Sequence, residues 1–194
     1  PMKEILNSYK KQISKSEILE KLKIIKNEYI VVSVHREENL DISDNFSNIL
    51  DAIDEVSSKN DKQIIFSTHP RTRKKLEEMK RDKNSKISYI KPLGFFDYIF
   101  LQLNAFVTLS DSGTLAEEAS LLKFPSVSLR NSTERPEAID SGSLILGSVD
   151  KTNIINSINL ALNLKNIIEP SDYDSPNCSE KVIKIIQGYT SIVN

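Results

Sequence analysis

Short apolar runs alternate with helical patterns along most of this chain. Six runs have the length and the β-branched content of buried strands, and they cover residues 29–34, 63–67, 87–90, 105–109, 126–129 and 144–146. Between them, apolar residues recur at a spacing of three or four, as in the set Ile42, Phe46, Ile49, Leu50, Ile53 and Val56. Strands that alternate with helices predict an α/β, Rossmann-like fold, with an open parallel sheet of about six strands and helices on both faces.

The same patterns predict one domain over residues 1–194. Two helical patterns precede the first strand, a helix is expected over 151–164, and a last helix follows a polar break near residue 171. Neither an internal repeat nor a low-complexity linker divides the chain. A chain of 194 residues is long enough to bury a sizeable core of its own.

Composition narrows the class of protein. The 26 Lys and Arg residues nearly balance the 27 Asp and Glu residues, so we expect no nucleic-acid partner, which would need a clustered basic excess. The single cysteine, Cys178, excludes an internal disulfide framework. Because no apolar run reaches the roughly 18 residues of a membrane span, we expect a cytoplasmic protein without membrane contact. The chain opens at Pro1-Met2, and we expect it to be a piece of a longer protein.

Polar clusters follow four of the predicted strands at their carboxyl ends. They contain His35 and Arg36, then His69, then Ser112 and Gly113, and finally Arg130, Glu134 and Arg135. In open parallel sheets, ligands bind outside the carboxyl ends of the strands. Both histidines of the chain are in these clusters, which predicts a binding site at this edge, although chance or local capping would give the same placement.

The stretch at residues 110–118, SDSGTLAEE, is the centre of this prediction. It joins a strand to a helix, and we expect Ser112 to be the N-cap of that helix. A helix N-terminus presents free N–H groups, and Gly113 would let a phosphate approach them closely. Glu118 is predicted on the flank of the apolar helix face, where it could bind a ribose diol. The alternative is that Ser112 only caps the helix and that both glutamates, Glu117 and Glu118, are solvated.

Several other chemistries are disfavoured by motifs that the chain lacks. No GxGxxG follows the first strand and no GxxxxGK[ST] occurs, which argues against ordinary dinucleotide and P-loop sites. Ser112 lacks the GxSxG context of a serine hydrolase. We expect no metal and no cofactor, because the chain has two histidines and one remote cysteine, and because His35, Glu37 and Glu38 are predicted on an extended segment.

Five motifs carry a resemblance to a known family. They are SVHREENLD (33–41), STHPRTR (67–73), KPLGFFDY (91–98), LSDSGTLAEEAS (109–120) and TERPEAIDSGS (133–143). In order and spacing they resemble the bacterial non-hydrolysing UDP-N-acetylglucosamine 2-epimerases. The residues within these motifs are similar to those of the UDP-N-acetyl-L-fucosamine synthase branch. So is Thr114, which stands in place of a second glycine of the common family pattern.

The resemblance implies the C-terminal, UDP-binding half of a two-domain GT-B enzyme. Such an enzyme eliminates UDP from a UDP-N-acetyl-amino-sugar and adds it back, which inverts the configuration at carbon 2. In the family, the N-terminal half, which is absent here, supplies the carboxylates that act at carbon 2. The branch implies UDP-N-acetyl-L-fucosamine synthesis for capsule or O-antigen, and the family allows a homodimer. Three alternatives remain open: an epimerase that makes UDP-N-acetylmannosamine, a glycosyltransferase half-domain, and a non-catalytic module that binds nucleotide sugars.

Residue roles also follow from the resemblance, motif by motif. Ser112 and Gly113 would bind the diphosphate, Glu118 the ribose hydroxyls, and the backbone around Leu93, Gly94 and Phe95 the uracil. His35 matches the active-site histidine of the family. Further positions on the sugar-phosphate side, or at an allosteric UDP-sugar in some members, correspond to Arg36, His69, Arg130, Glu134 and Arg135.

Overall fold

Six parallel strands form a single sheet in the order β3-β2-β1-β4-β5-β6. The computed structural model describes residues 1–42, 44–81, 86–164, 166–174 and 176–193, with side chains to residue 190. The strands are β1 (Tyr29–Ser33), β2 (Gln63–Ser67), β3 (Ile87–Ile90), β4 (Val107–Ser110), β5 (Ser126–Ser128) and β6 (Ile145–Leu146). The predicted fold class, strand number and parallel pairing are confirmed.

Helices connect the strands and flank the sheet. Their bounds are α1 (Met2–Ser8), α2 (Lys10–Ser14), α3 (Ile18–Leu22), α4 (Glu37–Asp41), α5 (Asn45–Asn60), α6 (Pro70–Glu78), α7 (Phe95–Leu103), α8 (Leu115–Leu122), α9 (Pro136–Asp140), α10 (Lys151–Asn163) and α11 (Cys178–Val193). The short helices α4 and α9 were not predicted. The expectation of an extended segment at Glu37 and Glu38 is wrong, because the chain turns at Arg36, whose carbonyl accepts from the N–H groups of residues 39 and 40.

Two apolar layers cover the two faces of the sheet. Alternation along β1 directs Ile30 and Val32 into a core shared with α5 and α10, while Tyr29 and Val31 pack on the opposite side with α3 and α7. All four side chains are fully buried. Helices on both faces, as predicted, leave the carboxyl edge of the sheet as the place where polar turns gather.

The order of the strands reverses between β1 and β4. The strand β1 pairs with β2 on one side and with β4 on the other, and Ser33 at the end of β1 lies opposite Ser110 at the end of β4. The chain therefore leaves these two neighbouring strands in opposite directions across the sheet. Such a switch point opens the crevice in which doubly wound sheets bind ligands.

The last helix, α11, has an apolar face that points into solvent. Val182, Ile186 and Tyr189 are 49%, 61% and 59% exposed, although their spacing predicts a helix and the structure contains one. Among the described residues, no helix is both long and apolar enough to cross a membrane.

Candidate functional site

A fully buried carboxylate, Asp111, joins the two turns of the switch point. It follows β4 directly, and its side-chain oxygens accept hydrogen bonds from the backbone N–H groups of His35 and Arg36 at 3.0 and 2.9 Å. The Asn39 side chain donates to the same carboxylate at 3.0 Å and also to the carbonyl of Leu129 at 3.0 Å. Burial opposes ionisation, but the hydrogen bonds from His35 and Arg36 prevail and lower the pKa of Asp111. Asp111 thus fixes the turn after β1 against the turn after β4.

The imidazole of His35 is oriented by this carboxylate. Its Nδ1 lies 3.0 Å from Oδ1 of Asp111. An ionised carboxylate only accepts hydrogen bonds, so Nδ1 carries the proton and Nε2 is the nitrogen left to act on a ligand. The hydrogen bond to Asp111 raises the pKa of His35, against the effects of burial and of Arg36. The half-exposed imidazole is therefore suited to donate a proton or to carry a positive charge near neutral pH.

The turn before α8 leaves backbone donors open. The N-cap of α8 is Thr114 and not the predicted Ser112, because the Ser112 N–H donates to Oγ of Ser110 at 3.1 Å and the turn continues for two residues. The hydroxyls of Ser112 and Thr114 lie 3.0 Å apart. Within the part of the chain that the structure describes, the N–H groups of Gly113 and Thr114 have no acceptor. Two open N–H groups at a helix N-terminus form the kind of site that binds phosphate.

Three arginines surround this turn and converge on Glu134. Arg130 pairs with Glu134 at 2.7 Å, Arg135 at 3.0 Å and Arg36 at 3.6 Å. Arg135 also donates to Glu117 at 2.9 Å. The structure thus brings Arg36, Arg130, Glu134 and Arg135 to one side of the Gly113 turn, as the sequence predicted for the cluster as a whole.

Glu118 lies on the buried face of α8, one turn after the open N–H groups. It is 6% exposed, so the alternative of two solvated glutamates is wrong for this residue, and Glu117 is bonded to Arg135. Burial raises the pKa of Glu118, while hydrogen bonds from Gln102 and Thr114 act in the opposite direction. A buried carboxylate with so few donors retains acceptor capacity for a ligand hydroxyl.

The predicted uracil segment begins helix α7. Gly94 is its N-cap, Phe95 is 38% exposed, and Leu93 packs into the apolar cluster of Tyr29 and Val31. The same helix carries Tyr98, which packs in that cluster and lies beside Ser33 and Ser110 at the ends of β1 and β4. Tyr98 therefore ties α7 to the switch point.

His69 lies at the edge of the cluster. It is exposed and forms the N-cap of α6, after the end of β2. Arg71, two residues later, connects this turn to α4 by ion pairs with Glu37 and Asp41. The structure therefore brings His69 to the same edge of the sheet, at the turn that Arg71 connects to α4.

Asp111, Asn39 and Tyr98 are site residues that the sequence did not single out. Asp111 lies in the stretch SDSGTLAEE, and its signal in the sequence is an acidic residue that closely follows a buried strand. Asn39 and Tyr98 lie inside two of the quoted motifs. No described group of three or more His, Cys, Asp or Glu side chains has the arrangement of a metal site.

Comparison with known proteins identifies the family of this chain. The sequence profile of the UDP-N-acetylglucosamine 2-epimerase family matches residues 1–187. The UDP-N-acetylglucosamine 2-epimerase of Methanocaldococcus jannaschii is 36% identical over 84% of this chain and 45% of its own length. That of Methanococcus maripaludis is 39% identical over 86% of this chain and 46% of its own length. The chain thus spans about half the length of the curated relatives it matches.

Solved structures give the same result. The M. jannaschii enzyme in complex with UDP-GlcNAc and UDP has a TM-score of 0.81 at 35% identity, and the match covers 92% of this chain and 50% of that one. The UDP-N-acetylglucosamine 2-epimerase of Rickettsia bellii has a TM-score of 0.86 at 32% identity, with coverage of 100% and 53%.

Proposed function

Because the chain belongs to the UDP-N-acetylglucosamine 2-epimerase family, we propose that it is the UDP-binding half of a UDP-N-acetyl-amino-sugar 2-epimerase. The observation that carries this proposal is the turn into α8 together with the first turn of that helix. There, the open N–H groups of Gly113 and Thr114 lie one turn before the buried carboxylate of Glu118. That spacing suits a nucleoside diphosphate, with its diphosphate on the N–H groups and its ribose diol on the carboxylate.

Each part of UDP has a proposed contact. The diphosphate binds at Ser112 and Gly113, near the guanidinium groups that surround Glu134, and the ribose binds Glu118. The uracil binds the backbone of Leu93, Gly94 and Phe95 at the start of α7. Support for the last contact comes from Tyr98, which fixes that helix to the ends of β1 and β4.

His35 acts on the departing diphosphate. Elimination of UDP from the sugar breaks the bond between carbon 1 and the phosphate oxygen, and negative charge then develops on the diphosphate. A protonated His35 and the arginines would stabilise that charge, as would the N-terminus of α8. The raised pKa of His35 increases the protonated fraction near neutral pH, so Nε2–H can donate to the diphosphate oxygen as its bond to carbon 1 breaks, and Nε2 takes the proton back when that oxygen re-forms the bond.

The other half of the reaction needs a base at carbon 2. The buried acidic residues of this site have other roles: Asp111 accepts hydrogen bonds from the turn after β1, and Glu118 is assigned to the ribose. We assign the base to residues outside this chain, in the remaining half of a two-domain protein of the relatives' length. The isolated chain should therefore bind UDP without epimerising the sugar, and the arrangement also allows a homodimer of the longer protein.

The sugar is the finer part of the proposal. Thr114 and the residues of the five motifs support assignment to the UDP-N-acetyl-L-fucosamine synthase branch, with a cytoplasmic role in capsule or O-antigen synthesis. UDP-N-acetylglucosamine is the second candidate substrate, since the relatives with the cited identities are named for it. Incubation of the longer protein with each UDP-sugar would distinguish the two.

Calorimetric titration of the chain with UDP, ADP and uridine tests the nucleotide site. UDP should bind with a Kd below ~1 mM, which corresponds to a binding free energy more favourable than about −4 kcal/mol. ADP should not saturate the site. Glu118→Gln should weaken UDP binding at least about fivefold, as expected for a lost hydrogen bond to a charged group. Glu117→Gln, on the same helix with the same change in charge, should bind UDP like the unmodified chain. Equal UDP and ADP affinity, or appreciable epimerase turnover by the chain alone, would contradict the proposal.

A further inference from the structure

The carboxylate of Glu134 occupies the space in front of Gly113. A Cβ built on Gly113 would lie 2.6 Å from Oε1 of Glu134 and 3.1 Å from Nη1 of Arg135. Because Gly113 has no side chain, its backbone is open to close contact, and the Glu134 carboxylate already lies against it. This is the surface on which the proposed function needs the diphosphate.

Three guanidinium groups point at that carboxylate. Nη1 of Arg130 lies 2.7 Å from Oε2, while Nη1 of Arg135 and Nη2 of Arg36 lie 3.0 and 3.6 Å from Oε1. Guanidinium groups bind carboxylate and phosphate oxygens by the same charge-assisted hydrogen bonds. One carboxylate has two oxygens for three guanidiniums, whereas a diphosphate offers more acceptors of the same kind.

Arg130 shows that the carboxylate alone does not satisfy these donors. It is 6% exposed, and within the described residues its Nε is buried without a hydrogen-bond partner. A carboxylate oxygen of Glu38 lies 3.8 Å from this Nε, beyond hydrogen-bond distance. Buried donors in folded proteins are nearly always paired, so an unpaired one beside an anion site points to a further acceptor.

Glu134 itself is free to leave. Its side chain is 49% exposed, so rotation into solvent would bury no charge and open no cavity. We infer that Glu134 is an intramolecular substitute for the diphosphate: it pairs with the three arginines in the unliganded chain and moves off Gly113 when the diphosphate binds. The inference rests on the proposed function and deepens it, because it makes diphosphate binding a competition with a side chain of the same site.

Titration with inorganic pyrophosphate, UDP and uridine tests the competition. Glu134→Gln keeps the size of the side chain but loses the charge that holds it on the arginines, so pyrophosphate and UDP should bind about three- to tenfold tighter, as expected when a half-exposed competing carboxylate no longer pairs with the arginines. Uridine, which has no phosphate, should bind both proteins equally. Glu117→Gln is the matched control, because it also frees a partner of Arg135 but does not lie against Gly113.

The outcomes separate this inference from the proposed function. Tighter pyrophosphate binding by Glu134→Gln, but not by Glu117→Gln, supports the competition, even if neither protein binds UDP and the nucleotide proposal fails. Equal or weaker pyrophosphate binding by Glu134→Gln overturns the inference, because Glu134 would then only position the arginines. In that case, UDP binding by the unmodified chain would still support the proposed function. A similar gain in Glu117→Gln also overturns it, since net charge alone would explain the effect.

Discussion

His35 and Asp111, which lie at the ends of neighbouring strands, contact each other through both backbone and side chain. The backbone N–H of His35 donates to Oδ2 of Asp111 at 3.0 Å, and its imidazole Nδ1 lies 3.0 Å from Oδ1. One buried carboxylate therefore fixes the path of a turn and the orientation of the ring that this turn carries. Preorganisation of this kind places a proton donor without reorganisation when charge develops on a ligand.

The first prediction concerns the stability that Asp111 provides. In Asp111→Asn an amide N–H₂ group replaces one acceptor oxygen and faces donors, and the charge that pairs with His35 is lost. We expect the free energy of unfolding to fall by about 2–4 kcal/mol, the cost of leaving buried donors unpaired. Urea unfolding at pH 7 measures the change, with the exposed Asp140→Asn as the control that should stay within about 0.5 kcal/mol.

The pH dependence of this loss has a defined sign. The pKa of Asp111 is lowered in the folded chain, so its contribution is present above the unfolded value of about 3.9 and is lost only as the pH falls through the lower folded value. The difference between the two proteins should therefore persist from pH 7 to pH 5. A difference that vanished already at pH 5 would mean that the carboxylate is not stabilised in the fold.

The second prediction concerns His35. Its pKa is raised in the folded chain, so its contribution to stability is fully present below the unfolded value of about 6.5 and disappears as the pH rises through the higher folded value. Relative to His35→Asn, the unmodified chain should gain stability between pH 8.5 and pH 5.5. Urea unfolding across this range measures the gain. Parallel curves for the two proteins would contradict the prediction, and in the Asp111→Asn background the gain should shrink.

The fold was predictable because its signals are local. The apolar runs that became β1 to β6 and the three-four spacing of Phe46, Ile49 and Ile53 depend on a few neighbouring residues each, and the two core layers follow from them. The short helices α4 and α9 were missed because five residues contain less than two turns of periodicity. In α4 the start of the helix is set by the turn at Arg36.

The site was predictable only in outline. Polar residues at strand ends indicate which edge binds a ligand, and the predicted cluster does lie at one edge. The partners could not be read from the sequence, because Asp111 meets His35 only if β4 lies beside β1, and Glu134 meets Gly113 only if the turn after β5 folds back over α8. Such contacts depend on the order of strands in the sheet, which a single sequence does not encode locally.

The third prediction concerns Gly113. In Gly113→Ala the new methyl group would lie 2.6 Å from Oε1 of Glu134, which is the flexible end of a half-exposed side chain and can move away. We expect the free energy of unfolding to change by less than about 1 kcal/mol. A diphosphate would meet the same methyl group, so UDP and pyrophosphate should bind at least about tenfold more weakly, or about 1.4 kcal/mol.

Calorimetry and urea unfolding of the same preparation separate the two effects. Gly188→Ala is the control, since it lies in α11, where a Cβ has no heavy atom within 4 Å. It should increase stability by about 0.5–1 kcal/mol, the usual gain for glycine to alanine in a helix, and leave UDP binding unchanged. Unweakened pyrophosphate binding by Gly113→Ala would mean that the diphosphate does not approach this backbone.

The last prediction is that Glu118 lowers stability while it serves binding. Burial raises the pKa of Glu118, so the ionised carboxylate is held in the fold at a free-energy cost near neutral pH, and protonation relieves this cost as the pH falls. Glu118→Gln removes the charge and keeps the size, so its melting temperature at pH 8 should equal or exceed that of the unmodified chain, while its affinity for UDP falls. For Glu117→Gln, which loses the hydrogen bond to Arg135, we expect the opposite pattern: no gain in stability and unchanged UDP binding. If Glu118→Gln instead melted well below the unmodified chain at pH 8, the carboxylate would be a structural group of α8, and its burial would need no ligand to explain it.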